Sequence, residues 1–418
     1  MSIRDDVLAL AKAGREASRV LAKAGAEQKN RALLAMAEGL EAGQKRLLDA
    51  NAKDLEAAKA AGLSGALLDR LALNPKRISN MAAGLRELVA LPDPVGEIES
   101  EWVRPNGLRV GRMRVPLGVI GMVYEARPNV TADAAGLCLK AGNAVILRGG
   151  SESLHSNRAI GELVAQGVAA SGLPAAALQV VSTAERQAVT ELLTLDGWID
   201  CVIPRGGQSF LKWVADTATV PVIQHGEGNC HVYVDYPADL AMAQEIVFNA
   251  KVQRPGVCNA AETLLVHERA ASAFLPAMLA RLATAGVELR ADEAARALYP
   301  GAKAAVEKDW STEYLDLILA VRVVPDLDAA LDHVARYGSG HSEAIVTTDY
   351  FHAERWLREV DAAAVLVNAS TRLVDGGQFG LGAEIGISTQ KLHARGPMGL
   401  RELTTTKFVV RGQGQIRS

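Results

Sequence analysis

The sequence is poor in aromatic residues, in cysteine and in unbalanced charge. Phe, Trp and Tyr make up 4% of the 418 residues, whereas 49% are hydrophobic, so a core must be built from Ala, Val, Leu and Ile. Four cysteines are too few for a disulfide scaffold. The 45 Lys and Arg against 48 Asp and Glu give a formal net charge of −3, whereas a general nucleic-acid binder needs a basic excess. The composition indicates a globular chain with more than one domain.

Long hydrophobic runs are also missing. The first 25 residues carry charged side chains too densely for a secretory signal. The longest uncharged run, residues 163–184, is divided by Gly172 and Pro174 into a helix end, a turn and a short strand. We therefore expect no membrane interaction and a location in the reducing cytoplasm.

Familiar nucleotide and metal motifs are lacking. Neither Gly226-Glu227-Gly228 nor Gly380-Leu381-Gly382 is completed by the third glycine of the G-x-G-x-x-G fingerprint, and the chain has no Walker A loop. No cysteine pair has the spacing to histidines that a zinc site requires. We expect no metal.

The hydrophobic pattern predicts helices in the first part of the chain and an α/β region after it. Apolar residues recur every three or four positions over residues 2–90, which predicts helices, and the closely spaced Pro92 and Pro94 end that region. From residue 119 onwards strands alternate with helices, which predicts parallel sheets covered by helices. The predicted helices of this region are 131–140, 156–170, 184–193 and 208–215, and its predicted strands are 119–124, 144–147, 178–181, 199–203, 220–223, 231–234, 263–266, 317–324, 344–347 and 365–368.

A β-hairpin is predicted between these two regions. Asn106-Gly107 is flanked by alternating residues over 102–112, the strongest short-range hairpin signal. Arg112 and Arg114 share one face of the second strand and Arg109 lies on the other, so the ribbon is not expected in a core. The final strand, 404–410, can pair with this hairpin or with another subunit. An unpaired ribbon edge favours a homodimer or homotetramer.

Cys258 is the candidate nucleophile. It follows Pro255-Gly256 on a loop between a helix and a strand, with Lys251 and Arg254 upstream. Local positive charge favours the reactive thiolate, although a buried, inert cysteine is the alternative at this point. Cys138 and Cys201 lie in apolar patterns and are predicted to be inert core residues. Cys230 lies at the start of a strand, and its role stays undecided.

Several segments give the chain a family resemblance. In order and spacing, residues 116–121 (PLGVIG), 142–151 (GNAVILRGGS) and the Cys258 loop resemble the aldehyde dehydrogenase superfamily. Within it, three motifs are similar to the gamma-glutamyl phosphate reductase family, and the resemblance covers nearly the whole chain. These motifs are 124–130 (YEARPNV), 252–259 (VQRPGVCN) and 380–388 (GLGAEIGIS).

The resemblance implies an α/β fold with two parallel-sheet domains, one of them Rossmann-like, and a small β flap for oligomerisation. We expect an NADPH-binding domain, a catalytic domain and an oligomerisation element made of the hairpin and the C-terminal strand. The implied small-molecule substrate is L-glutamate 5-phosphate, reduced with NADPH to L-glutamate 5-semialdehyde and phosphate through a cysteine thioester. This is the second step of proline biosynthesis, and functional coupling to glutamate 5-kinase is a further expectation. The expected boundaries are 1–100 with 116–228, then 229–394, and 101–115 with 395–418.

Site residues also follow from the resemblance. Asn129 lies about two residues from the position of an oxyanion-holding amide, so Arg127 is the alternative there, and Asn129 could instead cap the helix that follows. Glu313 matches the carboxylate that holds the nicotinamide ribose. The expected substrate-binding residues are Arg127, Arg254, Ser370, Thr371 and Arg372.

The expected cofactor residues point to NADPH. Arg148, followed by Gly149, stands where relatives usually have a lysine near the adenosine ribose, and Ser151 stands where NAD-preferring relatives often have a glutamate. Without that carboxylate Arg148 can attract a 2′-phosphate. The loop Arg205-Gly206-Gly207 opens a helix, and its backbone amides suit a pyrophosphate, although a plain turn is the alternative.

One departure from aldehyde oxidisers concerns the base that activates water in those enzymes. Residues 223–229 (IQHGEGN) do not carry it in the usual place, because Glu227 is displaced by a few positions. An enzyme that exchanges its acyl group with phosphate needs no such base, and its loss protects a thioester from hydrolysis. The nearest rival is an NAD-dependent aldehyde dehydrogenase that forms a free acid, and a further alternative is a catalytically silent relative.

Overall fold

The computed structural model describes residues 2–63, 65–125, 127–224 and 226–417. The chain forms two compact units. Unit 1 comprises Met1–Gln224, Gly380–Gly386 and Met398–Ser418, and unit 2 comprises His225–Phe379 and Ile387–Pro397. The functional roles of these parts of the chain stay predictions.

The helices and strands follow the predicted order. The helices are α1 (Ile3–Leu21), α2 (Ala26–Ala42), α3 (Gln44–Ala60), α4 (Gly65–Leu71), α5 (Pro75–Ala90), α6 (Asn129–Lys140), α7 (Leu154–Ala170), α8 (Arg186–Thr194), α9 (Gln208–Thr217), α10 (Leu240–Val252), α11 (Glu268–Thr284), α12 (Glu293–Leu298), α13 (Leu327–Tyr337) and α14 (Tyr350–Glu359). The strands are β1 (Ile98–Val103), β2 (Arg109–Pro116), β3 (Val119–Tyr124), β4 (Ala144–Gly149), β5 (Leu178–Val180), β6 (Cys201–Arg205), β7 (Cys230–Val234), β8 (Ala261–His267), β9 (Glu288–Ala291), β10 (Lys303–Ala304), β11 (Ile318–Val324), β12 (Ser342–Val346), β13 (Ala364–Val367), β14 (Ile387–Ser388), β15 (Gly396–Pro397) and β16 (Thr404–Arg411).

The helical prediction for residues 2–90 is confirmed by α1 to α5. Ser2 and Asp5 form a reciprocal capping box at the start of α1. Asn74 caps α5 and Pro75 occupies its first turn, where the missing N–H costs nothing. Helix α2 packs against α5 and α7 through a fully buried apolar stripe that includes Leu33 and Met36.

Unit 1 contains a parallel sheet of order β5-β4-β3-β6, with β3 buried along its whole length. The predicted strand at 220–223 is wrong: within it only Val222 forms an isolated bridge, to Val202. Pro221 accepts from the Val202 N–H but has no N–H to donate, so the ladder does not continue there.

The hairpin forms a separate antiparallel sheet in unit 1. Strands β1 and β2 pair across a turn in which Gly107 has φ +86°, a left-handed conformation that glycine adopts without strain. Strand β16 pairs with β2 along its full length, so the last strand joins the hairpin of its own chain. Every residue of β1 is exposed, as expected of a ribbon outside the core.

Unit 2 contains a parallel sheet of order β10-β9-β11-β8-β7-β12-β13 and a short antiparallel pair, β14-β15. Strands β7 and β8 are buried throughout, and α10 and α11 pack on one face through residues such as Phe274 and Met278. The other face carries a cluster in which the rings of Tyr233 and Trp356 stack. Strands β9 and β10 were not predicted, because four residues and two residues are too short to show a pattern.

The predicted fold class is confirmed: parallel sheets covered by helices, with small antiparallel sheets beside them. Among the residues described, no helix has both the length and the apolar character needed to cross a membrane.

Candidate active site

The topology of unit 2 brings three loops to one edge of its sheet. Strands β11, β8 and β7 are consecutive neighbours and run parallel. The loop with Cys258 enters β8, the segment with Gly228 enters β7, and the loop with Glu313 enters β11. All three therefore meet at the amino edge of the sheet. The sequence could not show this convergence, because the three segments are far apart along the chain.

Cys258 is half-buried, whereas the other three cysteines are buried. Cys138 and Cys201 lie in the core of unit 1, and burial raises the pKa of both thiols, that of Cys201 to about 12. Their predicted place in the core is confirmed.

Two residues at or just before the start of β7, Gly228 and Cys230, contact the backbone of Cys258. The fully buried Cys230 thiol donates to the Cys258 carbonyl oxygen over 3.1 Å. A Cβ built at Gly228 would overlap the same carbonyl, so only glycine allows this approach. Burial raises the pKa of Cys230 well above its usual value, which keeps the thiol protonated as a donor. Cys230, undecided from sequence, is thus a support for the cysteine loop.

Arg372 lies beside the cysteine loop and ties it to the segment that follows β13. Its guanidinium donates to Gln253 Oε1 over 2.8 Å and to Asn259 Oδ1. The Asn259 Nδ2 amide in turn donates to the Val374 carbonyl oxygen. Burial, followed by the charge of Arg254, lowers the pKa of Arg372, while Cys258 acts in the opposite direction. Two of the predicted substrate residues, Arg254 and Arg372, therefore lie together near Cys258.

The other two predicted residues of that segment are less accessible. Ser370 is largely buried, and its hydroxyl accepts from the Arg372 backbone N–H. Thr371 is completely buried. Its hydroxyl oxygen has no hydrogen-bond partner within the part of the chain that the structure describes.

Glu313, predicted to hold the nicotinamide ribose, is half-buried at the same edge of the sheet. Its Oε1 accepts from the Gly228 backbone N–H over 2.8 Å, so it also orients the segment that touches Cys258. Burial raises the pKa of Glu313. Burial, followed by the charge of Glu313, also raises the pKa of Glu227.

Lys251 does not act as a free cation beside the cysteine, which the sequence alone could not show. Its ammonium lies 2.6 Å from Glu262 Oε2, and both side chains are completely buried. The charge of Lys251 is therefore balanced, and of the two upstream cations only Arg254 is exposed. The pair was missed because Glu262 reads as an ordinary polar position of a strand.

In unit 1 the predicted cofactor residues gather at the carboxyl edge of the sheet. The neighbouring strands β4, β3 and β6 end at Gly149, Tyr124 and Arg205. Ligands of parallel α/β sheets commonly bind outside these strand ends. The structure thus brings three residues of the cofactor prediction, Arg148, Gly149 and Arg205, to neighbouring strand ends.

Asn129 is the first residue of α6, is exposed, and does not cap the helix. Its amide donates to Asp133 Oδ2 over 3.0 Å, one turn further along. Burial raises the pKa of Asp133 to about 6, with the Asn129 hydrogen bond acting in the opposite direction. Arg127 is also exposed, just before this helix.

Arg148 is largely buried, and its guanidinium donates to the carbonyls of Gly149 and Ala184. Its Nε has no partner among the described residues. Ser151 is exposed and donates to Glu152 over 3.4 Å. The Glu152 carboxylate also acts on Arg148, so a carboxylate does lie near this arginine. The motif comparison does not reveal this carboxylate, because Glu152 is one position removed from Ser151.

Helices α6, α7, α8 and α9 each follow a strand of this sheet and begin at its carboxyl edge, and the starts of α7 and α9 differ in what binds their N–H groups. The N-terminus of α7 is capped by Asp54 of α3, which accepts from the backbone N–H groups of His155 and Ser156. The N-terminus of α9 begins at Gly207 with no side-chain cap. There the Gly207 N–H donates to Glu125 over 3.2 Å. The predicted pyrophosphate loop is therefore a helix start rather than a plain turn.

The structure brings the predicted residues together in two sets, one in each unit. Among the residues it describes, no group of three or more His, Cys, Asp and Glu is arranged to hold a metal ion. The predicted residues in unit 2 are Arg254, Cys258, Glu313, Ser370, Thr371 and Arg372, and those in unit 1 are Arg127, Asn129, Arg148, Gly149, Ser151, Arg205, Gly206 and Gly207.

Comparisons with known proteins agree with this geometry. Residues 2–297, more than half of the chain, match the aldehyde dehydrogenase family. The chain is 61% identical to a gamma-glutamyl phosphate reductase from Moorella thermoacetica, over 100% of both chains. It resembles the crystal structure of gamma-glutamyl phosphate reductase from Thermotoga maritima with a TM-score of 0.96 and 50% identity, covering 99% of this chain and 100% of that one.

A more distant structure shows the shared fold. An acetylating aldehyde dehydrogenase from Geobacillus thermoglucosidasius has a TM-score of 0.72 at 16% identity, covering 100% of this chain and 98% of that one. The chain therefore belongs to the gamma-glutamyl phosphate reductases of the aldehyde dehydrogenase family, which are nicotinamide-dependent oxidoreductases.

Proposed function

We propose that this enzyme reduces L-glutamate 5-phosphate to L-glutamate 5-semialdehyde and phosphate, a step of proline biosynthesis, through a thioester on Cys258. The single observation that carries the proposal is the Cys258 loop. It holds a half-buried thiol, a supported backbone and two arginines beside it, in a chain 61% identical to a gamma-glutamyl phosphate reductase. An arginine pair suits a substrate that carries a phosphate and a carboxylate.

The covalent step proceeds by exchange at the acyl carbon. The Cys258 thiolate attacks the acyl phosphate carbon, a C–S bond forms, and the C–O bond to phosphate breaks, so that phosphate leaves with the electron pair. Phosphate is a good leaving group, so a strong general acid is unnecessary. Arg254 and Arg372 balance the charge of the phosphate at this stage.

The nicotinamide supplies, when bound, the hydride that reduces the thioester. Asn129 or Arg127 donates a hydrogen bond to the oxyanion that develops during acyl transfer. Collapse of the resulting thiohemiacetal breaks the C–S bond, releases the semialdehyde and returns Cys258 as thiolate. We do not assign Glu227 as a water-activating base, because the acyl group on Cys258 is released as an aldehyde and not hydrolysed to an acid.

Residues of unit 1 fit a dinucleotide cofactor. The start of α9 at Gly206 and Gly207 has no side-chain cap, and in this proposal a pyrophosphate replaces Glu125 as the acceptor of the Gly207 N–H. The charge of Arg148 supports the choice of NADPH, with the nearby Glu152 carboxylate opposing it. Glu313 holds the nicotinamide ribose in this proposal. We infer NADPH as the cofactor, and the ratio of kcat/KM for NADPH to that for NADH measures this preference.

We also propose a homo-oligomer, dimer or tetramer, assembled through the β1-β2-β16 ribbon. Both outer strands of this sheet have an open edge, and Val103, Phe408 and Val410 expose large apolar side chains. Open edges and apolar ribbons favour pairing with another chain. Coupling to glutamate 5-kinase remains a further expectation of this proposal.

The reverse reaction provides the test. NADPH formation is followed from glutamate semialdehyde and NADP⁺, with and without phosphate, in the wild type and in Cys258→Ala. We expect turnover that needs phosphate and that falls on the order of 10⁴-fold or more in Cys258→Ala, since nucleophile removal is very costly. Cys201→Ala, a buried cysteine of unit 1, serves as the matched control and should keep its activity.

The other outcomes each contradict part of the proposal. Turnover without phosphate would make the protein an ordinary aldehyde oxidiser. Turnover in Cys258→Ala would exclude the thioester. A folded wild type inactive under both conditions would exclude the substrate.

A further inference from the structure

The buried ion pair of Lys251 and Glu262 has no role in the chemistry proposed above. Lys251 lies in the last turn of α10 and Glu262 is the second residue of β8, so the pair joins the two elements that flank the cysteine loop. The Nζ–Oε2 distance is 2.6 Å, and neither side chain is exposed to solvent. The pair therefore closes the loop at its base, seven residues before Cys258 and four residues after it.

The second oxygen of the same carboxylate reaches another part of the site. Glu262 Oε1 accepts from the Leu315 backbone N–H over 3.1 Å. Leu315 has φ +54°, a left-handed conformation unfavourable for leucine, so this turn needs support from its surroundings. Two residues earlier, Glu313 accepts from Gly228, which lies against the Cys258 carbonyl. One carboxylate thus contacts the bases of two of the three loops that meet at this edge.

We propose that Glu262, held in place by Lys251, is a positioning residue that fixes the Cys258 loop and the Glu313 loop relative to each other. One of its oxygens contacts Lys251 at the end of α10, just before the cysteine loop, and the other accepts from Leu315 in the Glu313 loop. The inference rests on the proposed role of Cys258 as nucleophile. The pair acts through the two loops and need not contact the substrate.

The physical cost of the pair supports a role beyond stability. Burial raises the pKa of Glu262 to about 7 and lowers the pKa of Lys251, although each charge counters the effect on the other. Replacing a buried ion pair by apolar residues of similar volume is often neutral or stabilising. A purely structural contact would therefore be served as well by two apolar side chains, which could not bind the Leu315 N–H.

The test separates positioning from stability by comparing three variants with a matched control. Lys251→Met removes the cation, Glu262→Gln keeps an oxygen for Leu315, and the double change Lys251→Met with Glu262→Leu gives an apolar pair that should fold. Lys29→Met is the control, because Lys29 is a fully buried lysine paired with Asp93 in unit 1, 2.7 Å away. The readouts are Tm, kcat, the cofactor KM, and the rate at which iodoacetamide alkylates Cys258, followed by peptide mass spectrometry.

We expect the apolar double variant to keep its fold and to lose roughly ten- to a hundred-fold in kcat, since a misplacement of about 1 Å can cost that much. Its Cys258 alkylation rate should change by at least about three-fold, and its cofactor KM should rise. Glu262→Gln should keep a cofactor KM closer to the wild-type value than the double variant does, because the Leu315 contact survives. Lys29→Met should lower Tm while leaving kcat and alkylation unchanged.

The proposal is overturned if the folded double variant, or Lys251→Met, keeps wild-type kcat, KM and alkylation rate. It is also overturned if Lys29→Met changes these quantities as much as Lys251→Met does. Failure of the proposed function is recognised separately, by turnover in Cys258→Ala. The alkylation rate still reports on the loop in that case, since it needs neither substrate nor cofactor.

Discussion

At Gly228 a hydrogen atom stands where any other residue would place a carbon against the Cys258 carbonyl. Gly228→Ala should therefore displace the cysteine loop. We expect a loss of about 1–3 kcal/mol in stability from the overlap and a fall in kcat of at least roughly ten-fold. Thermal unfolding and steady-state kinetics measure the two effects.

Gly25→Ala is the control for that substitution. Gly25 has φ −74°, and no atom lies within 4 Å of a Cβ built there. It should leave kcat unchanged. Wild-type kinetics in Gly228→Ala would show that the two segments separate without affecting the thiol.

The Cys230 thiol is the second support beneath the nucleophile. Cys230→Ala removes the donor to the Cys258 carbonyl, and we expect kcat to fall roughly three- to ten-fold, since a neutral hydrogen bond is worth about 1 kcal/mol. Cys230→Ser keeps a donor and should retain more activity than Cys230→Ala. Equal activity of the two variants, measured at saturating substrate, would contradict a role for this hydrogen bond.

At the scale of single residues, the sequence distinguished Cys258 from Cys138 and Cys201 by its loop context, but not Cys230 from an inert core residue. The difference lies in what each thiol contacts. Cys230 faces a carbonyl that is 28 positions away in the chain. Such a contact exists only after β7 and β8 have paired.

At the scale of single elements, helix α6 carries Asp133, whose titration should make the free energy of unfolding depend on pH. The pKa of Asp133 is raised to about 6 from an ordinary value of 3.8. The folded protein then binds more protons than the unfolded chain between these values. The stability that Asp133 contributes is present below about pH 4 and lost as the pH rises through 6, by at most about 3 kcal/mol.

Asp133→Asn should remove that pH dependence. The difference in free energy of unfolding between Asp133→Asn and the wild type should favour the variant more at pH 7 than at pH 4.5. Urea denaturation at both pH values measures it. Asp332→Asn is the control, because Asp332 is an exposed aspartate on α13. An identical pH profile for Asp133→Asn and the wild type would show that Asp133 titrates normally.

Periodicity predicted most of the helices and strands, but it did not predict the short strands or every strand boundary. The pattern gave α1 to α5, the hairpin and most of both parallel sheets. It failed at 220–223, where Pro221 interrupts the ladder, and at β9 and β10, which are too short to show alternation. Hydrophobic periodicity reports which side chains are buried, but hydrogen bonding between neighbouring strands decides where a strand ends.

For the whole molecule, the β1-β2-β16 ribbon should decide the oligomeric state. Phe408→Lys combined with Val410→Lys places two charges on its exposed apolar strand, and we expect a shift from oligomer to monomer in light scattering. Val306→Lys, at an exposed apolar position of unit 2, is the control and should keep the oligomer mass. A monomeric wild type, or an oligomer that survives the double change, would contradict the proposed assembly.

The sequence by itself determined the fold class, the order of the elements, the family resemblance and the choice of Cys258. These depend on local patterns and on motif spacing, which a linear chain displays directly. The tertiary structure alone decided that Lys251 is neutralised by Glu262, that Asp54 occupies the start of α7, and that the loops of Gly228, Cys258 and Glu313 share one edge. The physical reason is that a charge or a hydrogen bond depends on its partner, and strand pairing and helix packing choose that partner from distant parts of the chain.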